Sequence, residues 1–306
     1  MEIYLPVAEM SVLWPVILAL GGIVGFLAGM FGVGGGFLLT PLLIFFGIPP
    51  AVAVATTASH ITAASMSGAI AQWRRRAVDF KMAGIMLVGG IAGTEIGVVL
   101  FKALRAAGQS ELVVNGGYVI LLGTIGGMML NESVRALYAE RLGLSPPAPK
   151  THHHTWIQGL PFKLRFRQSR LYISLIPPLV LGLIVGMLSA ILGVGGGFII
   201  VPAMIYLLRM PTNIVIGTSL VQIVAVTAAT TVLQAVNNYT VDIMLALFLI
   251  LGGVVGAQIG VHVGGRLRGE QLRLLMALLV LVVGLGMLYG LVATPQDLFS
   301  VATGAP

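Results

Sequence analysis

Gly25–Pro41 reads GFLAGMFGVGGGFLLTP, and Gly186–Pro202 reads GMLSAILGVGGGFIIVP. The two stretches align without a gap. Working outward, Pro50 matches Pro211 and Thr57 matches Thr218; further on, Val78-Asp79 matches Val241-Asp242, and GGIAGTEIG (Gly89–Gly97) matches GGVVGAQIG (Gly252–Gly260). The chain is two copies of one unit. Three adjacent glycines hold a helix poorly, because each costs about 1 kcal/mol relative to alanine in a helix interior. A break is therefore expected at Gly34, Gly35 and Gly36 and again at Gly195, Gly196 and Gly197. Each break is followed by a short helix with Pro41 or Pro202 in its first turn, where a missing N–H matters least.

The composition around these motifs is that of a membrane protein. Of 306 residues, 58% are apolar and 9% charged, against about 25% charged in soluble domains, and the mean hydropathy is +1.02. No cysteine is present, so disulfide frameworks, thiolate metal sites and cysteine nucleophiles are excluded. Stretches long enough for a hydrocarbon core of about 30 Å run from Trp14 to Phe31, Ala51 to Ala71, Met82 to Phe101 and Leu112 to Leu130. A second set runs from Leu171 to Leu192, Thr212 to Leu233, Asp242 to Val263 and Leu272 to Val292. Phe37–Ile48 and Phe198–Leu208 are too short to cross and are expected as half-helices, either partial spans or arms of re-entrant hairpins. The expected fold is all-α: about eight full transmembrane helices plus two short broken ones, in repeats at 12–130 and 172–292 joined by a linker at 131–171.

Charge orients the chain. Fourteen of the seventeen lysines and arginines lie in three regions: Arg74–Lys81, the central linker, and Arg266–Arg273. The positive-inside rule makes these cytoplasmic and places both termini outside. The net charge of +7 is thus a topology signal for a multi-pass membrane protein lying against anionic headgroups, with no nucleic-acid partner implied. The leader carries Glu2 and Glu9 but no basic residue, so the first span is expected to be retained and not cleaved as a signal peptide. Residues 143–168 read as a flexible connector; His152–His154 within it lack the carboxylate or cysteine partners a metal site needs. Comparing equivalent loops, Arg74–Lys81 is basic and Gln234–Val241 is uncharged. The copies are therefore expected to insert upside down relative to each other, an arrangement that recurs in secondary transporters with substrate near the midplane.

The glycine breaks suggest the chemistry. A short helix that starts at membrane depth offers free N–H groups and a positive dipole end, a ready anion cradle; close helix contact is the other use of such glycines. Nucleotide loops are excluded, since neither Lys-Ser/Thr nor the acidic residue of a dinucleotide fold follows. Polar residues at depth add donors: Thr57, Ser59 and His60 in copy one, Thr218, Ser219 and Gln222 in copy two. His60 is also a candidate for carrying a proton. Glu95, between Gly93 and Gly97, is either a structural carboxyl or a proton-coupling site. The four-spaced Gly89, Gly93, Gly97 and Gly252, Gly256, Gly260, Gly264 read as packing positions. No paired carboxylates, metal spacing or nucleophile with base lies within the spans, so no enzyme is expected.

The duplicated GVGGGF…P motif, Pro50 and Pro211 ahead of the Thr57 and Thr218 segments, and the GGIAGTEIG and GGVVGAQIG elements resemble the sulfite exporter TauE/SafE family, over about residues 12–130 and 172–291. The resemblance implies an ion-driven inner-membrane transporter, an exporter, of small sulfur-containing anions such as sulfite, thiosulfate or organosulfonates like sulfoacetate, working without ATP or a cofactor. A passive anion channel and a transporter of a non-sulfur organic anion share these features. Whether the chain forms a homo-oligomer is left open.

Overall fold

The computed structural model describes residues 2–31, 35–141, 161–166, 168–169, 171–208, 210–264 and 269–292. Gly34, His152–His154, Arg266, Arg268 and the tail beyond Val292 lie outside them. The first copy consists of β1 (Glu2–Leu5), β2 (Met10–Leu13), α1 (Trp14–Phe31), α2 (Gly36–Phe45), α3 (Pro50–Arg74), α4 (Phe80–Ala106) and α5 (Ser110–Arg141). The second repeats that order with β3 (Lys163–Phe166), β4 (Leu171–Ser174), α6 (Ile176–Leu192), α7 (Gly197–Tyr206), α8 (Thr212–Asn238), α9 (Ile243–Gly264) and α10 (Gly269–Val292).

Long and short helices fall where the hydropathy placed them. Segments of α4, α5, α8, α9 and α10 are long and apolar enough to cross a membrane. α1 and α6, with 18 and 17 residues, span about 26 Å and are apolar throughout. α2 and α7 have 10 residues each. The outward faces are apolar too, with Val99, Val282 and Leu285 exposed, as contact with hydrocarbon requires.

Local chemistry sets the ends. Asp79 caps α4 by accepting the Met82 N–H at 3.1 Å, and Asp242 does the same for the Leu245 N–H of α9 at 3.1 Å. The carbonyls of Pro49 and Pro211 accept the first bonds of α3 and α8, from Val52 and Ala53 and from Ile214 and Val215. α6 stops at Gly193, whose left-handed φ of 70° lets its N–H close on the Ser189 carbonyl at 2.9 Å.

The structure departs from the expected boundaries on both sides of the linker, and strand β3 lies within the stretch read as a flexible connector. Leu171–Ser174, read as the start of a span, is a strand paired antiparallel with Lys163–Phe166, and α5 runs on to Arg141, into the stretch read as linker. An equivalent hairpin opens the chain, Glu2 opposite Leu13 and Leu5 opposite Met10. Each is seated by a fully buried apolar side chain, Leu5 and Phe166 respectively.

The two copies interlock reciprocally. α1 packs along α9 and α4 along α6, while α3 faces α8 and α5 faces α10. Glycines make the first two contacts possible. A Cβ at Gly25 or Gly29 would strike the Gly253 or Ala257 carbonyl, and one at Gly256 or Gly260 the carbonyl of Gly22 or Phe26. On the other side, Gly89 and Gly93 lie on the Leu179 and Leu183 carbonyls, and Gly182 and Gly186 on those of Met86 and Gly90. The backbones touch where side chains are absent, which maximises dispersion contact between helices that lipid cannot drive together.

Candidate functional site

The two glycine breaks meet in the middle of the molecule. α2 makes its first intrahelical bonds from the Leu38 and Leu39 N–H groups to the Gly35 carbonyl, at 3.1 and 3.2 Å, and α7 from Ile199 and Ile200 to Gly196, at 3.0 and 2.8 Å. The N–H groups of Gly36 and Phe37, and of Gly197 and Phe198, therefore stand ahead of the first helical bonds, as at any helix start. All four residues are buried. The Phe37 and Phe198 rings stack on each other, centroids 4.6 Å apart and planes within 14°, so equivalent residues of the two copies touch. The side chain of Ile61 in α3 lies against both Gly36 and Gly195, and the Val194 carbonyl lies beside Gly36. Gly195 and Gly196 take left-handed φ values of 73° and 76°, and a Cβ at Gly196 would strike the Val185 side chain. Gly35 rests in the same way on Val24.

Pro41 and Pro202 stand further in than the first turn expected of them, inside α2 and α7. A proline there has no N–H for the carbonyl four residues back. Those carbonyls are Phe37 and Phe198, so each central phenylalanine also loses its helical donor.

α3 and α8 supply the polar wall. Thr57 Oγ1, both ring nitrogens of His60 and Gln222 Oε1 are buried and have no hydrogen-bond partner among the described residues. His60 Nε2 abuts Gly253 of α9. Gln222 Nε2 donates to the Met86 carbonyl of α4 at 3.2 Å. Thr62 Oγ1 and Thr227 Oγ1 join α3 to α8 at 2.8 Å. Ser59 Oγ donates to the Thr56 carbonyl at 2.6 Å and Ser219 Oγ to the Ile216 carbonyl at 3.1 Å. These back-bonds leave each serine oxygen able to accept but not to donate.

Thr218 has a different task. Its Oγ1 accepts the Asp79 N–H at 3.0 Å, and the residue in the same position of the other copy is Thr56, whose Oγ1 accepts the Asp242 N–H at 3.1 Å. The repeat register in α3 and α8 is thus one residue off the match of Thr57 with Thr218. Pro49, not Pro50, plays the part of Pro211. Thr57 then corresponds to Ser219 and His60 to Gln222. The match by sequence slips because one extra residue precedes α8, between Pro202 and Pro211, and the paired threonines Thr56-Thr57 allow either alignment.

Glu95 is not brought to this region. It is exposed on the face of α4 that carries Ile91, Ile96 and Val99, and its counterpart Gln258 is exposed on α9. Ile61, Phe37 and Phe198 are the central residues that polarity-based reading passed over; their only mark in the sequence was adjacency to the glycines or threonines.

Fold and site together define a multi-pass α-helical membrane protein with a duplicated, glycine-broken centre. A family model described as Sulfite exporter TauE/SafE matches residues 17–287, and the chain belongs to that family. It is 32% identical to the "Probable membrane transporter protein YjnA" of Bacillus subtilis over 273 residues, 88% of this chain and 97% of that one. A "Probable membrane transporter protein" of Xylella fastidiosa is 29% identical over 82% of this chain and 85% of its own. A further such protein from Methanocaldococcus jannaschii is 28% identical over 92% and 97%. No solved structure matches the chain.

Proposed function

We propose that the chain is a secondary transporter that exports a small sulfur-containing anion, of the sulfite, thiosulfate or organosulfonate class, across the inner membrane by alternating access between inverted repeats. One observation carries this reading: two buried helix starts meet at the Phe37–Phe198 stack against Ile61 of α3, and α3 and its partner α8 carry buried polar atoms of Thr57, His60 and Gln222 that have no partner among the described residues. Helix N-termini favour anions without a fixed cation, and an anion so held can leave again. The reciprocal pairing of α1 with α9 and α4 with α6 supports two equivalent bodies that rock about a shared centre. The family supplies the sulfur chemistry. The basic loops argue for a cytoplasmic linker and outward termini. For proton coupling, the position of His60 in the polar wall favours it over Glu95, which faces away.

The test is a substrate panel of sulfite, thiosulfate, sulfoacetate, sulfate and a plain carboxylate in proteoliposomes, with and without a proton gradient. Uptake of a sulfur anion against its own gradient is expected, and flux that only follows the gradient would mean a channel. Glu95→Gln should leave proton-driven uptake unchanged, whereas His60→Ala should remove its dependence on the proton gradient.

A further inference from the structure

The matched Val-Asp pairs lead to a contact at each end of the molecule that the site does not use. Asp79 accepts at Oδ2 from the Ser169 N–H, 3.1 Å, and from the Ser169 hydroxyl, 2.6 Å. Ser169 lies in the turn of the β3–β4 hairpin, so the hairpin of copy two is tied to the cap of α4 in copy one. Asp242 accepts at Oδ2 from the Val7 N–H at 3.0 Å, which ties the β1–β2 turn of copy one to the cap of α9 in copy two. Each aspartate also donates its backbone N–H to the threonine that precedes a site residue, Thr218 before Ser219 and Thr56 before Thr57. Both hairpins are wedged into apolar seats: Phe166 and Ile173 among Met82, Met86, Ile200 and Val215, and Leu5 and Ala8 within the other core cluster.

We propose that the two β-hairpins are the opposing gates of the transport path, and that Asp79 and Asp242 are their latches. The inference rests on the alternating-access reading, in which one end must open while the other stays shut. Each latch bridges both copies, so rocking one copy against the other strains it, and each connects within one residue to the polar wall. The latches are unequal. The β3–β4 gate has further bonds from Gln168 Nε2 to the Arg76 carbonyl, 2.9 Å, and from Lys81 Nζ to the Arg165 carbonyl, 3.3 Å, while Ala8 stands where Ser169 contributes its hydroxyl. The β1–β2 gate is the one that opens more readily.

The chain has no cysteine, so Thr57→Cys can report access to the centre. A membrane-impermeant charged maleimide is applied to right-side-out and inside-out vesicles, with sidedness set by Glu9→Cys and Gln168→Cys. An Asn at 79 or 242 keeps one carbonyl for the helix cap and turns an NH2 group toward the hairpin N–H, which releases the latch without removing the cap. Thr57→Cys should react faster from the β1–β2 face. Asp242→Asn, which loses one hydrogen bond to a carboxylate, should raise labelling from the β1–β2 face about tenfold, and Asp79→Asn, which disturbs both Ser169 bonds, should raise labelling from the β3–β4 face by about tenfold or more. Should Asp79→Asn fail to fold, Ser169→Ala decides, with a smaller rise on the same face. Equal changes on both faces, or none in variants that retain their melting temperature, would overturn the proposal. Labelling needs no substrate, so a silent substrate panel with face-specific labelling would sink the anion assignment and leave the gates standing.

Discussion

Thr57 Oγ1 is buried without a partner among the described residues, and a hydroxyl in that state costs stability that a methyl would not. Thr57→Val should therefore leave the melting temperature unchanged or raise it, by up to about 1 kcal/mol in stability. The same variant should lose the thermal shift that sulfite or sulfoacetate gives the purified protein. A drop in stability with the shift intact would show that Thr57 is structural. Gly196 behaves in the opposite way. Its φ of 76° is one that residues with a Cβ adopt at a cost of about 1–2 kcal/mol, and the Cβ would also press on Val185. Gly196→Ala should lower the melting temperature whether or not an anion is present, so it is a poor probe of binding.

At the scale of elements, glycines that look alike in sequence do different things. Gly93 in α4 lies on the Leu183 carbonyl, whereas Gly84 in the same helix and Gly123 in α5 have nothing within 4 Å of an added Cβ. Gly93→Leu should push α4 off α6 and abolish the monodisperse folded peak in detergent chromatography. Gly84→Ala and Gly123→Ala should each raise thermal stability, by roughly 0.5–1 kcal/mol on helix propensity. The four-residue spacing announced the packing glycines because i and i+4 share a helix face. The hairpins were harder to see. Ile3, Leu5 and Val12 alternate as Leu164, Phe166 and Ile173 do, but a strand of four residues carries too short a period-two pattern to stand out beside a long apolar run.

For the molecule as a whole, the proposed inverted arrangement of the two copies makes a direct topological demand. Glu9 and Gln168 are exposed in equivalent hairpin turns, and single cysteines there should label from opposite sides of the membrane. Labelling from one side would mean parallel repeats and would remove the alternating-access reading. The amino-acid sequence alone determined the membrane environment, the duplication and the helix breaks, because hydropathy, charge and glycine content act locally and need no partner to be read. Tertiary structure decided which breaks meet, that His60 corresponds to Gln222, that Glu95 faces away from the centre and that Asp79 and Asp242 hold the hairpin of the other copy. Each of those depends on helix rotation and on contacts between residues far apart in the chain, which a one-residue shift of register changes completely while the composition stays the same.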